Sequence, residues 1–363
     1  MQRREFNRNL LGMPLAAALP SMALAAADVA PHTMPPGGSI ADVPGLKVGH
    51  YTLTERPTGC TVMLCEAGAT AGVDVRGSAP GTRETDLLSP INQVQQVNAI
   101  VLSGGSAYGL DTATGVMRYL EERNAGYKIG KLGVVPIVPA AILMDLGVGN
   151  FKIRPNAESG YKACLAATSG PVAEGCVGAG AGATIGKMFG GAFSMKSGLG
   201  TASVKIGDTG IVVGAIVAVN AVGDVVNPQT GKVVAGARSE DGKGYRDSMA
   251  AMMSGYRVVV QPAANTTIGV VATNAKFTKT QMTKIAQMAH DGYARAINPV
   301  HTMGDGDTIF SMSTGTTDVT ADVSAIGAIA ATVMSRAIVR AAMQATSVPS
   351  LGLVAYRDYA GHG

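Results

Sequence analysis

The sequence predicts a single mixed α/β domain, and three observations carry that reading. Apolar runs of strand length recur along the chain, three longer stretches repeat their apolar residues at helical spacing, and glycine-rich connectors join them without an internal repeat or linker. The 363 residues are 47% hydrophobic and only 15% charged, against about a quarter charged in ordinary soluble domains. A sizeable buried core follows, and disorder is excluded. With 48 glycines, 4% aromatic residues and no tryptophan, that core must be built from small side chains.

The chain opens as an export signal. Gln2 to Arg8 reads QRREFNR, with the Arg3 and Arg4 pair ahead of an apolar stretch from Leu10 to Ala27. Pro14 and Pro20 interrupt that stretch and argue against a membrane helix, while Ala23, Leu24 and Ala25 form the small-x-small pattern of a cleavage site. A twin-arginine signal at residues 1–25 predicts a periplasmic protein with no stable membrane anchor. Residues 26–39, bearing proline and glycine without periodicity, read as a tail, and residues 40–363 as the domain.

Strands are expected at Lys47–Leu53, Cys60–Leu64, Ala99–Leu102, Gly133–Val138, Gly210–Val219, Tyr256–Val260 and Thr267–Thr273. Several are apolar throughout, as in strands covered on both faces. Helical periodicity marks Leu110–Glu122, Thr278–Ile297 and Asp322–Ala345; Thr278 with Gln281 three residues on has the capping-box pattern of a helix start. The stretch Gly175–Gly200 reads as a glycine-rich connector.

Composition and motifs exclude several function classes. A formal charge of +4 with dispersed Lys and Arg is no basic stripe, so nucleic acid is not an expected partner. Cys60, Cys65, Cys164 and Cys176 permit disulfides in an exported chain but do not require them, and their spacing fails the CxxC zinc pattern. Gly178–Ala183 (GAGAGA) lacks the strand and ribose-binding acid of a dinucleotide fingerprint. Gly186–Lys187 lacks the glycine and the hydroxyl residue of a phosphate loop, having Ala181 and Met188 there instead. Ser106 in SGGSAYG has Tyr108 where a nucleophile elbow needs glycine, and Ser159 with Lys162 lacks the KTG and SDN companions of an SxxK enzyme. The five histidines form no metal cluster of known spacing, and the DGD at Asp305–Asp307 lacks the remaining ligands of a calcium loop. No metal and no cofactor is expected.

Asn265 and Thr266 stand at the start of a β-branched apolar run in NTTIGVVATNA, which composition alone would read as a turn entering a strand. Seven ordered blocks give them another meaning: VPGLKVGHYT, RGSAPGTRETDLL, IVLSGGSAYGLDTATGVMRYLEE, GAGAGATIGK, VGAIVAVNAVGD, NTTIGVVATNA and HTMGDGDTIF. In these blocks, from about Gly45 to about Ala345, the chain resembles the DmpA-type aminopeptidases and the nylon-oligomer hydrolases, self-cleaving enzymes with an N-terminal nucleophile.

The resemblance implies a layered α/β/β/α sandwich, a homo-oligomer, and a single domain that cuts itself between Asn265 and Thr266 into a large fragment 26–265 and a small fragment 266–363. It implies that Thr266 is the nucleophile and that its new α-amine, with a reference pKa of about 7.7 to 8.0, serves as its base. By motif, Asn220 would donate to the oxyanion, Lys187 would hold the nucleophile network, and Asp305 and Asp307 would orient the Thr266 amine or receive a substrate ammonium. Met144 stands where some relatives have an aromatic residue, making it and, more weakly, Ser106 candidate substrate contacts. The expected activity is removal of an N-terminal residue from short peptides, amides or esters. Endo-hydrolysis of ω-amino-acid oligomers, acyl transfer of the ornithine acetyltransferase kind, and a non-catalytic exported binding protein are the alternatives.

Overall fold

The computed structural model describes Met34, residues 36–257 and residues 265–360. The expected signal, most of the tail and part of the Tyr256–Val260 strand lie outside the described residues. Among the described residues, nine strands form one sheet. In chain order they are β1 (Lys47–Thr52), β2 (Gly59–Val75), β3 (Thr82–Arg83), β4 (Gln96–Ser103), β5 (Ala140–Ile142), β6 (Leu199–Lys205), β7 (Val212–Asn220), β8 (Thr266–Thr273) and β9 (Thr308–Ser313). Their spatial order is β6-β7-β8-β9-β2-β4-β5-β3, with β1 alongside β2. The helices that cover them are α1 (Thr112–Glu121), α2 (Ala157–Leu165), α3 (Lys279–Ala296) and α4 (Val323–Gln344).

Alternation along the strands sorts side chains into three cores, because successive residues of a strand point to opposite faces. Ala215, Val217 and Val219 of β7 join α3 and α4 residues such as Ile285, Tyr293, Met334 and Ile338. The intervening Ile216 and Ala218 instead meet Ile268, Val270, Phe310, Met63, Ile100 and Leu102 in a second core that contains strand and connecting residues but none from an α-helix. Val62, Leu64, Ala99 and Val101 turn the other way, onto Val116, Leu120 and Cys164 of α1 and α2. The single sheet path therefore folds over itself through the 17-residue β2, whose register with β4 shifts between Leu64 and Ala69. Helices, half-sheet, half-sheet and helices follow in layers, which is the expected α/β/β/α sandwich.

Helix starts follow the sequence closely. The Thr278 hydroxyl accepts from Gln281 N while the Gln281 side chain returns to the Thr278 backbone, a cap that stabilises a helix by about 1 kcal/mol. Asp322 caps α4 by accepting from Ala325 N. This helix is long and apolar enough to cross a membrane, but 72% of its apolar window is buried within the protein.

Three expectations need correction. The Gly133–Val138 run contributes only Val134–Val135, paired with Tyr127–Lys128 in a small hairpin off the main sheet. Tyr256 and Arg257 are not in a strand. The supposed connector Gly175–Gly200 ends inside β6, whose Gly200 sits so close to α4 that a Cβ there would lie 2.0 Å from the Ala337 carbonyl oxygen. A strand residue without a side chain is what lets the helix lie down on the sheet.

Candidate active site

The candidate residues converge because three neighbouring strands present the same end. Asn220 closes β7 and Thr266 opens β8, and the antiparallel register places them directly opposite each other. β8 runs parallel to β9, with Ile268 paired to Thr308, and a further parallel bridge joins Asn265 to Asp305. Asp305 and Asp307 are therefore delivered beside Asn265 and Thr267. All six of Asn220, Asn265, Thr266, Thr267, Asp305 and Asp307 are buried.

The Asn265 carbonyl oxygen accepts two hydrogen bonds: one from the backbone N–H of Gly306 at 3.0 Å and a short one from Thr266 Oγ1. Across the strand pair, Asn220 Oδ1 accepts from Lys187 Nζ at 2.8 Å and from Thr184 N at 3.0 Å. Lys187 Nζ donates as well to the Asn220 carbonyl at 2.9 Å. The Asn220 amide Nδ2 donates one of its two N–H groups to the Met144 carbonyl at 3.0 Å. Met144 thus enters the site through its backbone, and Ser106 adjoins it by donating its N–H to the Leu143 carbonyl at 3.0 Å.

The two aspartates are held by different partners. Asp307 Oδ1 accepts from Thr267 N at 2.7 Å, while its Oδ2 pairs with His301 Nδ1 at 2.9 Å and with His301 N at 3.1 Å. Asp305 Oδ2 accepts from the backbone and the hydroxyl of Thr302, and its Oδ1 is buried with no partner among the described residues. Burial and the neighbouring Asp307 charge raise the Asp305 pKa, against the Thr302 hydrogen bonds and the Lys187 charge. Lys187 as a whole residue is only half-buried, yet desolvation of its ammonium lowers its pKa to about 7, with the Asp305 and Asp145 charges opposing the shift.

Sequence reasoning missed the scaffold behind these groups. Arg56 and Asp145 form an ion pair at 2.5 Å with both side chains fully buried, and Thr58 Oγ1 and Gly105 N donate to the same carboxylate. Asp145 adjoins Met144, so this pair fixes the carbonyl that receives Asn220. Gly306 was also missed: a Cβ there would lie 3.0 Å from Thr266 Oγ1. His301, one of the five histidines read only as lacking metal spacing, packs its ring edge to face against His290 with centroids 4.9 Å apart. Among the described residues, no group of three or more His, Cys, Asp and Glu side chains is arranged to hold a metal ion.

At one bond the structure gathers a hydroxyl hydrogen-bonded to its own preceding carbonyl, a backbone donor on the same carbonyl oxygen, and a lysine amine beside the opposing amide. Comparison with known proteins shows the family. An uncharacterized aminopeptidase of Mycobacterium leprae is 42% identical over 347 residues, covering 87% of this chain and 93% of the relative. The 6-aminohexanoate-oligomer endohydrolase of a Kocuria species is 31% identical, covering 83% of this chain and 85% of the relative. Among solved structures, the β-aminopeptidase of a Burkholderia species matches with a TM-score of 0.64 at 24% identity over 91% of this chain and 94% of its own. The L-aminopeptidase D-Ala-esterase/amidase of Ochrobactrum anthropi, described as a variant of the Ntn hydrolase fold, matches with a TM-score of 0.65 at 19% identity over 89% of this chain and 92% of its own. The model of peptidase family S58 matches residues 38–353: the chain belongs to that family and is a hydrolase of peptide and amide bonds.

Proposed function

We propose that the chain is a self-processing aminopeptidase whose nucleophile is Thr266. The observation that supports this most directly is the Asn265 carbonyl, which receives both the Thr266 hydroxyl and the Gly306 N–H while Asn220 and Lys187 stand across the strand pair. Thr266 Oγ1 attacks the Asn265 carbonyl carbon, and the Asn265–Thr266 C–N bond breaks. The hydroxyl proton ends on the Thr266 nitrogen, and an ester remains. Water then hydrolyses that ester, releasing the Asn265 carboxylate and returning a hydroxyl to Thr266 beside a free α-amine.

Cleavage also explains how substrate gains entry. Thr266 is only 3% exposed in the uncut chain, so a substrate carbonyl reaches its hydroxyl after the segment ending at Asn265 withdraws. The α-amine, with an ordinary pKa of about 7.7 to 8.0, then takes the hydroxyl proton as Thr266 attacks substrate. Asn220 turns its amide to the oxyanion, Lys187 holds Asn220 in place, and Asp305 and Asp307 set the α-amine or receive the substrate ammonium. Short peptides, amides and esters are the proposed substrates. Met144 makes its part of the pocket more apolar and adaptable than an aromatic hydroxyl would. The 31% identity to the 6-aminohexanoate-oligomer endohydrolase favours, as a second reading, attack within such oligomers. Export to the periplasm through residues 1–25 and assembly into a homo-oligomer complete the proposal.

The test is a denaturing gel of the purified protein beside its Thr266→Ala variant. Two fragments, ending at Asn265 and beginning at Thr266, are expected from the first and one chain from the second. An active wild type that runs as one uncut band would falsify the nucleophile assignment. Thr266→Ser retains the hydroxyl and should still process. Strict dependence of turnover on an added amine acceptor would instead identify an acyltransferase.

A further inference from the structure

The loop that leads from α3 into β9 grips both candidate aspartates with two consecutive residues. Thr302 donates to Asp305 Oδ2 from its backbone N at 2.9 Å and its hydroxyl at 2.5 Å. One residue earlier, His301 donates to Asp307 Oδ2 from its backbone N at 3.1 Å and its ring Nδ1 at 2.9 Å. The other Asp307 oxygen, Oδ1, accepts from Thr267 N at 2.7 Å. Asp307 is thus an acceptor at both oxygens, which assigns the proton of the shared hydrogen bond to His301 Nδ1.

Two further features hold the ring in place. His290 of α3 meets it edge to face with centroids 4.9 Å apart, and Tyr293 stacks on it at 6.0 Å; both are fully buried. His290 Nε2 in turn donates to the Asp74 carbonyl of β2 at 3.0 Å, so the wall behind His301 is itself fixed. The His301 backbone has a φ of +56°, in the left-handed region that, glycine apart, asparagine, aspartate and histidine enter most readily. That conformation aims the backbone N–H and the ring of one residue at the same carboxylate oxygen. Backbone strain of this kind persists where the surroundings enforce it, as they do beside reacting groups.

We infer that His301 is a positioning residue for cleavage at Thr266 and acts through Asp307. Its Nδ1–H keeps Asp307 Oδ1 on Thr267 N, and that N–H belongs to the peptide group joining Thr266 to Thr267. The nucleophile is therefore held from its C-terminal side, while the Gly306 N–H holds the Asn265 carbonyl on its N-terminal side. Without the ring donor the carboxylate turns away from Thr267, and the Thr266 hydroxyl loses its alignment on the Asn265 carbonyl carbon. This inference rests on the reading of Thr266 as the nucleophile and adds the residue that sets its neighbour.

The test follows self-cleavage of the freshly translated full chain on denaturing gels, for the wild type and for His301→Asn, His301→Gln and His301→Gly. The asparagine amide N–H stands where Nδ1–H stands and tolerates the left-handed backbone; the glutamine amide stands at the place of Nε2 and keeps more bulk; glycine relieves the backbone but brings no donor. His301→Asn should cleave within about threefold of the wild-type rate, and His301→Gln and His301→Gly at least about tenfold more slowly. A packing role would instead rank His301→Gln above His301→Asn, and a backbone role would put His301→Gly level with His301→Asn or above it. Either order, three equally slow variants, or wild-type rates in all three would overturn the inference. If His301→Gly fails to fold, the comparison of His301→Asn with His301→Gln still decides it. Thr266→Ala on the same gels tells the two readings apart. A Thr266→Ala chain that still cuts itself sinks the nucleophile assignment, whereas an uncut one beside a fast His301→Gln chain sinks the role of His301 alone.

Discussion

Lys187 makes a prediction whose sign and size both follow from the structure. Its ammonium donates to the two oxygens of Asn220, and desolvation lowers its pKa from 10.5 to about 7. In the unfolded chain the lysine stays charged to about pH 10. Between these values the unfolded state holds one proton more than the folded state, so stability must rise as pH increases through that window and level off above it. At about pH 7 the folded chain is half charged at this residue; by about pH 9 it is neutral there, while the unfolded chain remains nearly fully charged. At about 1.36 kcal/mol per proton per pH unit, the gain over those two units is about 2 kcal/mol.

The measurement is urea unfolding of the Thr266→Ala chain, which cannot cut itself, beside the same chain carrying Lys187→Met. Groups remote from Lys187 contribute alike to both chains and cancel in the difference, whereas Asp305, coupled to the Lys187 charge, is read together with it. The lysine chain should gain about 2 kcal/mol relative to the methionine chain between about pH 7 and about pH 9. Equal gains would mean that the ammonium is not desolvated, and the reading of Lys187 as an enclosed cation beside Asn220 would fall with it. A carboxylate that held the ammonium charged in the folded chain, as Asp305 could, would also give equal gains, because the lysine would then keep its proton in both states across this window.

The other predictions test the geometry around the bond and its scaffold. Gly306→Ala would place a Cβ 2.6 Å from the Ala79 carbonyl oxygen and 3.0 Å from Thr266 Oγ1. Overpacking of this kind costs about 1 to 3 kcal/mol, so self-cleavage followed on a gel should slow by roughly tenfold or more. Gly191→Ala, with nothing within 4 Å, should cleave at the wild-type rate; equal rates for both would show that position 306 does not crowd the nucleophile. Asp145→Asn leaves the Arg56 guanidinium buried without its countercharge and should destabilise the chain by about 3 to 5 kcal/mol in urea unfolding. The double change Arg56→Met with Asp145→Asn, which keeps an amide partner for Thr58 and Gly105, should recover much of that loss, and a double variant no better than the single would refute the ion-pair account.

How far the sequence reached depended on whether a feature repeats. Val213–Val219 alternates between two cores, and α3 and α4 announce their own caps, so strands and helices with these signals were legible from residues alone. The site was legible only as motifs. Nothing local in Asn220 or Thr266 says that two strand ends 46 positions apart become direct partners; register fixes that, and register is a property of the folded sheet. The buried ion pair of Arg56 and Asp145, 89 positions apart, has no period at all. Glycine hid the rest. Gly200 interrupts the apolar pattern of β6 because the Ala337 carbonyl occupies the space of its side chain, and Gly306 does so beside Thr266 because the nucleophile and the Ala79 carbonyl occupy that of another. A pattern search reads both as loop residues. Both are instead places where backbone meets backbone or nucleophile at a distance no other residue tolerates, and the glycine excess of this chain belongs to its packing as much as to its turns.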